Sequence, residues 1–285
     1  MDNRRITAEA LERLSECDDS RLREVMTSVI EHVHEIVREV KPSMEEWRKA
    51  IDFLTDVGHW SDEKRQEFII LSDTLGVTML VDAICHQMPE GATETTVLGP
   101  FFVDGAESFS YGANISKGRG GESTLVTGSV TGVDGKPIGK ARLDVWQAGP
   151  DGLYDVQKPD EFAEGNLRGV FETTETGHFA FCTVKPAPYP VPTDGPVGRM
   201  LLATGRHAWR PAHLHFIITA AGFQSVTTHL FVAGSEYLEG DVVQAVKESL
   251  IVDFTECDDS EEAARFNLPV PYFKLDHQFV LSPTS

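Results

Sequence analysis

The sequence predicts a mainly β protein, a β-sandwich domain preceded by an α-helical N-terminal region, and three observations carry that prediction. Apolar residues recur at three- and four-residue spacing through the first ninety or so residues, the period of a helix with one buried stripe. After Gly91 the texture changes to short segments rich in Gly, Pro and Thr, bounded by turn signals, which suits many short strands. At 285 residues, 41 % hydrophobic and 25 % charged, the chain can bury a substantial core and has an ordinary globular composition. The expected division is 1–95 for the helical region and 96–285 for the sandwich. No internal repeat or low-complexity segment is visible.

The first strong helix runs from about Leu22 through Val25, Met26, Val29, Ile30, Val33, Ile36, Val37 and Val40. Pro42, lacking an amide hydrogen, ends it. Ser43 opens a second helix, with Glu46 three residues on completing a capping box and Trp47, Ile51 and Leu54 on its apolar face. A third stretch is expected from about Asp62 to Gln87, with Gly76 as a kink or break. Thr124 to Val133 reads as a strand, and Asp134-Gly135 as a strong hairpin dipeptide because both residues tolerate positive φ. Ala141, Leu143 and Val145 alternate with Arg142, Asp144 and Trp146, the period of a half-buried strand. Further short strands are expected near 167–174, 178–184, 213–219, 226–232 and 272–281.

Acidic residues outnumber basic ones 45 to 25, a formal charge of −20 that repels nucleic acid and anionic lipid. No run reaches the ~18–20 apolar residues that cross a bilayer. Cys17, Cys85, Cys182 and Cys257 show no zinc-like spacing and read as buried free thiols in a reducing cytoplasm, so a cytoplasmic location is expected.

Four residues stand out chemically. In Arg210-Pro211-Ala212-His213-Leu214-His215-Phe216 the two histidines enter a strand, where residues two apart share a face and can meet one metal. Packing and hydrogen bonding are the alternative use of such a pair. His32 and His34 have the same spacing on a helix, about 200° apart, and cannot chelate together. Tyr154 follows a strand in Gly149-Pro150-Asp151-Gly152-Leu153-Tyr154-Asp155. Tyr189 lies in Pro186-Ala187-Pro188-Tyr189-Pro190-Val191-Pro192, where prolines stiffen the backbone. Either tyrosine alone reads as structural. A phenol of ordinary pKa near ~10 becomes an anionic ligand only beside a strong Lewis acid such as iron(III).

These segments, with Thr96-Val97-Leu98-Gly99-Pro100-Phe101-Phe102 and Thr227-Thr228-His229-Leu230-Phe231, resemble the intradiol dioxygenases, the family of catechol and hydroxyquinol 1,2-dioxygenases. The resemblance covers nearly the whole chain. It implies one Fe(III) per chain with Tyr154, Tyr189, His213 and His215 as ligands, and a catecholic substrate cleaved with O2 between its two hydroxylated carbons. It implies that Tyr189 leaves the metal and takes a substrate proton, and that Arg210 stabilises electron density building up on the ring. A surface cation at a strand end is the alternative for Arg210. Met79, Asp82, Val97, Leu98, Gly99, Pro100, Phe101, Val191, Pro192, Arg210, His229 and Val243 are the expected substrate-binding residues.

His229 replaces the glutamine usual in catechol enzymes, and with Leu80-Val81-Asp82 and the stretch 189–198 it points to the hydroxyquinol branch. Asp82 would accept a hydrogen bond from the third hydroxyl; a helix-surface carboxylate is the other reading. The expected product is 3-hydroxy-cis,cis-muconate, which tautomerises to maleylacetate. Catechol or a substituted catechol is the alternative substrate. Two other classes remain open from the residues: a β-sandwich small-molecule binding module, and a zinc hydrolase built on His213 and His215. The resemblance also implies a homodimer through the N-terminal helices, with a tunnel between them able to hold a lipid.

Overall fold

A computed structural model describes residues 3–62 and 65–284. The chain divides into two compact units, Met1–Asp56 and Val57–Ser285.

The first unit holds α1 (Asn3–Glu12), α2 (Ser20–Val40) and most of α3 (Met44–His59). Asp19 caps α2 by accepting from the amides of Arg21 and Leu22, and Lys41 ends it in the left-handed region at φ 51°. The Ser43–Glu46 capping box forms as expected: the Ser43 amide donates to Glu46 at 2.7 Å and the Glu46 amide to Ser43 at 3.2 Å. His32 is exposed, and His34 is half-buried with Nδ1 at 2.9 Å from the Thr7 hydroxyl.

The second unit begins with the end of α3. The expected third helix is broken into α4 (Glu67–Thr74) and α5 (Val77–Cys85), bent by 77° at Gly76, whose φ of 73° is the left-handed conformation that glycine accommodates. Residues 63 and 64 of that expectation lie outside the described residues. No single helix among the described residues is long and apolar enough to cross a membrane.

Eleven strands follow: β1 (Ser123–Gly132), β2 (Arg142–Gln147), β3 (Arg168–Glu172), β4 (His178–Val184), β5 (Tyr189–Pro190), β6 (Trp209–Arg210), β7 (His213–Thr219), β8 (Val226–Val232), β9 (Ile251–Val252), β10 (Thr255–Cys257) and β11 (Tyr272–Leu281). Helices α6 (Pro196–Ala203) and α7 (Ser260–Phe266) sit in the connections. One sheet has the order β10-β11-β1-β4 and the other β3-β2-β7-β8-β9, and β5 and β6 form a separate two-stranded pair. The two large sheets make the sandwich. Its core interleaves Val126, Phe179, Phe181 and Phe279 of one sheet with Leu143, Val145, Phe216 and Ile218 of the other. Phe216 meets Phe279 at 4.9 Å between ring centres, and Phe171 meets Phe181 at 5.0 Å.

Asp134-Gly135 makes a tight turn, with Gly135 at φ 77° and the Gly132 amide bonded to the Lys136 carbonyl at 2.9 Å, but not the expected hairpin between β1 and β2. The turn does not join two long partners, because the chain crosses at Lys140 to begin β2 in the opposite sheet. β2 was expected to be half-buried; only Arg142 of its six residues is exposed. The second face of this sheet is covered at Trp146, and what covers it is the functional site.

Candidate active site

Register across the second sheet sets the floor of the site. Trp146 on β2 lies opposite His215 on β7, and His215 opposite His229 on β8, so the three form one row. Trp146 stacks on His215 at 4.6 Å and 14° between planes. His213, two residues earlier, shares that face, as strand alternation requires. Its Nδ1–H donates to the Pro211 carbonyl at 2.7 Å, which turns the lone pair of Nε2 toward the site.

The two tyrosines reach this floor from separate elements. Tyr189 pairs with Arg210 in the short β5–β6 ladder, so one local structure sets both residues. Tyr154 follows the turn after β2. Gly152 stands in that turn at φ 76°, a conformation that favours glycine, and a Cβ there would come within 3.1 Å of Tyr189 Cβ and press on that loop. Phe101 stacks on Tyr154 at 4.5 Å. Arg168, buried, pairs with Asp155 and donates to the Phe101 carbonyl at 3.1 Å, tying the Tyr154 loop to β3 and to the 97–102 segment.

The result is a closed ring of four donor atoms. Tyr154 Oη lies 3.2 Å from Tyr189 Oη, Tyr189 Oη 3.4 Å from His213 Nε2, His213 Nε2 3.1 Å from His215 Nε2, and His215 Nε2 3.0 Å from Tyr154 Oη. All four side chains are buried. Ligand bonds of about 2.1 Å place neighbouring ligand atoms about 3 to 3.5 Å apart, between right-angle and tetrahedral arrangements. The ring therefore fits one metal ion. Two oxygen and two imidazole donors suit a hard cation better than a thiolate set would.

Electrostatics agree with that fit. Burial, then the neighbouring Arg210, holds the His213 imidazole far below its usual pKa. Burial and then His213 do the same to His215, so both are neutral and able to donate a lone pair. Burial, and next Tyr189, pushes the Tyr154 phenol well above 10, so a cation is needed for it to ionise. Arg210 is buried at 2 % exposure, with Nη1 at 3.4 Å from Tyr189 Oη and 3.3 Å from His213 Nε2. Burial opposes its charge, but Asp241 and then the nearby phenol of Tyr189 outweigh that and lift its pKa.

Beside the ring lies a narrow cavity of about 10 Å³, lined by Val97, Gly99, Pro100, Phe101, Val191, Pro192, Arg210 and Val243, all expected to bind substrate, by Tyr189, expected as a ligand, and by Ile70 and Asp73, which were not expected. It shares Ile70, Pro100, Phe101 and Pro192 with a wider depression of about 730 Å³ that opens outward.

Four expected residues are not in the cavity lining. Leu98 is 43 % exposed, and Met79 packs against the sandwich core. His229 is buried beside the two strand histidines, 4.1 Å from the His215 ring centre, with Nδ1 bonded to the Thr96 hydroxyl. Asp82 is engaged elsewhere: its carboxylate meets His86 Nδ1 at 2.8 Å, the Thr95 hydroxyl at 3.0 Å and Lys247 Nζ at 3.6 Å. The carboxylate at the cavity is Asp73, 4 % exposed, with Oδ1 lacking any hydrogen-bond partner. Burial raises its pKa, against the pull of Thr78 and Arg210.

Two family models match the chain, one described as Dioxygenase over residues 97–283 and one as Catechol dioxygenase N terminus over residues 19–93. The chain belongs to the intradiol dioxygenase family. It is thus a metal-dependent ring-cleaving enzyme of the kind that acts on catecholic substrates with O2. It is 50 % identical over 271 residues to a hydroxyquinol 1,2-dioxygenase of Rhizobium sp. (strain MTP-10005), covering 95 % of this chain and 92 % of that one. It is 45 % identical to a 6-chlorohydroxyquinol 1,2-dioxygenase of Cupriavidus pinatubonensis, covering 99 % of this chain and 98 % of that one. The solved hydroxyquinol 1,2-dioxygenase from Pseudomonas putida DLL-E4 superposes with a TM-score of 0.93 at 44 % identity, covering 99 % of both chains. The β-sandwich fold expected of the intradiol dioxygenase stands with these matches.

Proposed function

We propose that this intradiol dioxygenase cleaves hydroxyquinol (benzene-1,2,4-triol) with O2 to 3-hydroxy-cis,cis-muconate, the tautomer of maleylacetate, at one Fe(III) per chain held by Tyr154, Tyr189, His213 and His215. The observation that carries the substrate is Asp73, a buried carboxylate with an unpartnered oxygen on the wall of the cavity beside the donor ring. Names of similar proteins point to the same triol.

The bound ion supplies Lewis acidity that makes phenolate and catecholate oxygens available at neutral pH. The chain's residues do the rest. Tyr189, beside Arg210, is placed to take a proton from an incoming catechol hydroxyl. Arg210 holds a fixed positive charge where the ring becomes electron-rich. Val97, Phe101, Val191 and Val243 exclude water from the ring, and Asp73 accepts the third hydroxyl. A polar group left unpaired by the wrong ring gives discrimination that an apolar wall cannot.

The helical region supplies a second part of the reading: a homodimer through the N-terminal helices, with an apolar tunnel able to take a lipid. Four free cysteines accord with a cytoplasmic enzyme, although only Cys182 is buried as expected and Cys85 is exposed.

Purified protein should contain about one iron per chain and be wine-red from tyrosinate-to-iron(III) charge transfer. Tyr154→Phe and His213→Ala should each lose most of the iron and the colour; full retention in both would remove these residues from the metal. Wild-type kcat/KM should favour hydroxyquinol over catechol, and the opposite preference would sink the substrate assignment alone.

A further inference from the structure

Arg210 is held by a partner that the sequence reading did not single out. Its Nε donates to Asp241 Oδ1 at 3.1 Å and its Nη2 to Oδ2 at 3.3 Å, and both side chains are 2 % exposed. A two-point contact of this kind fixes the plane of a guanidinium as well as its position. Nη1, the nitrogen left over, is the one that faces Tyr189 Oη and His213 Nε2. Each Asp241 oxygen also accepts one backbone amide, Val243 at 3.3 Å on Oδ1 and Ala245 at 3.1 Å on Oδ2. A single carboxylate thus sets the aim of Arg210 and the loop that carries Val243 to the cavity wall. It also keeps Arg210 committed when a second carboxylate, Asp73, lines the same cavity with a free oxygen.

We propose that Asp241 is a positioning residue of the ring-cleavage reaction, acting through Arg210. The proposal rests on the reading of Arg210 as the cation that stabilises charge on the bound ring. Asp241→Asn keeps the shape but turns an N–H toward a guanidinium or amide donor, so the clamp opens while the donor ring is untouched. In holoenzyme, Asp241→Asn should keep its iron and resting colour, lower kcat about 10–100-fold and change KM by less than about threefold. Arg210→Ala should lower kcat by about 10²–10³.

The deciding comparison is the double variant. Groups that act as a unit are non-additive, so adding Asp241→Asn to Arg210→Ala should change kcat by less than about twofold. The same ten- to hundredfold loss in both backgrounds would make Asp241 an independent prop of the fold and overturn the proposal, as would unchanged kcat in Asp241→Asn alone. Wild-type turnover in Arg210→Ala would remove the arginine reading first, and the proposal with it. If Asp241→Asn fails to fold, the pair is replaced together by Arg210→Met and Asp241→Leu, since apolar exchange of a buried ion pair is often tolerated. That enzyme should turn over within about twofold of Arg210→Met, and a further tenfold drop would count against Asp241 acting through Arg210.

Discussion

Two carboxylates nine residues apart, Asp73 and Asp82, are both buried within apolar helical sequence, yet only one faces the cavity. On an unbroken helix they would point about 180° apart, so a single pocket could take only one of them. Gly76 breaks the helix instead, and both become buried for different reasons. Asp82 pairs with Lys247 and hydrogen-bonds His86; Asp73 waits with a free oxygen. A hydrogen bond to a charged acceptor is worth roughly 1.5–3 kcal/mol, so Asp73→Ala should cut the preference for hydroxyquinol over catechol about 10–100-fold. Asp82→Ala should leave that ratio of kcat/KM values within about threefold. Equal losses on both substrates in Asp73→Ala would show a wall residue that reads no hydroxyl. At this scale strand alternation made it legible that His213 and His215 share a face, whereas Tyr154 and Tyr189 joined them only through the family resemblance, since either tyrosine alone reads as structural. Asp73, Asp155, Arg168 and Asp241 were not legible, because their roles arise from partners far away in sequence. A carboxylate inside the apolar run Phe68 to Leu75 was the one local signal for Asp73.

At the scale of elements, β4, β7, β8 and β11 coincide with the expected spans, although β4, β7 and β8 are buried on both faces and show no alternation. The short pair β5–β6 was missed, since two residues carry no period, although it aligns Tyr189 with Arg210. The segment 97–102 shows how little room the site leaves. Gly99 has φ 78°, and a Cβ there would lie 3.2 Å from His215 Cε1, whereas Gly105 has φ 75° with nothing within 4 Å. A non-glycine residue in this conformation costs of order 1–3 kcal/mol. Gly99→Ala and Gly105→Ala should therefore both lower Tm by several degrees. Only Gly99→Ala should also weaken iron retention under a competing chelator, because only there does the new methyl press on the histidine. Equal retention in the two would mean that His215 shifts without consequence for the metal.

For the whole molecule, the stripe expected on α2 is present but uncovered. Leu22, Val25, Val29, Val33, Ile36 and Val40 are 40–67 % exposed, and Trp47, Ile51 and Leu54 on α3 are 40–47 % exposed. A contiguous apolar face of this kind marks an interaction surface. The periodicity was legible in the sequence; what it packs against was not, because the same stripe serves an intramolecular or an intermolecular partner. A second copy is the occupant proposed here, since an isologous pairing buries the stripe on both subunits at once. Replacing Val29 and Val33 together by Lys should be nearly neutral for the isolated fold, as exposed substitutions usually are within about 0.5 kcal/mol. In an apolar interface the same charges would be desolvated without partners, at a far higher cost. Wild type should sediment as a dimer at micromolar concentration, and Val29→Lys with Val33→Lys as a monomer. Iron content and colour per chain should persist, because all four donors belong to the unit Val57–Ser285. A wild type that is monomeric at tens of micromolar yet yields lipid on solvent extraction would assign the stripe to lipid alone. Dimers that survive both lysines would place the interface on another face.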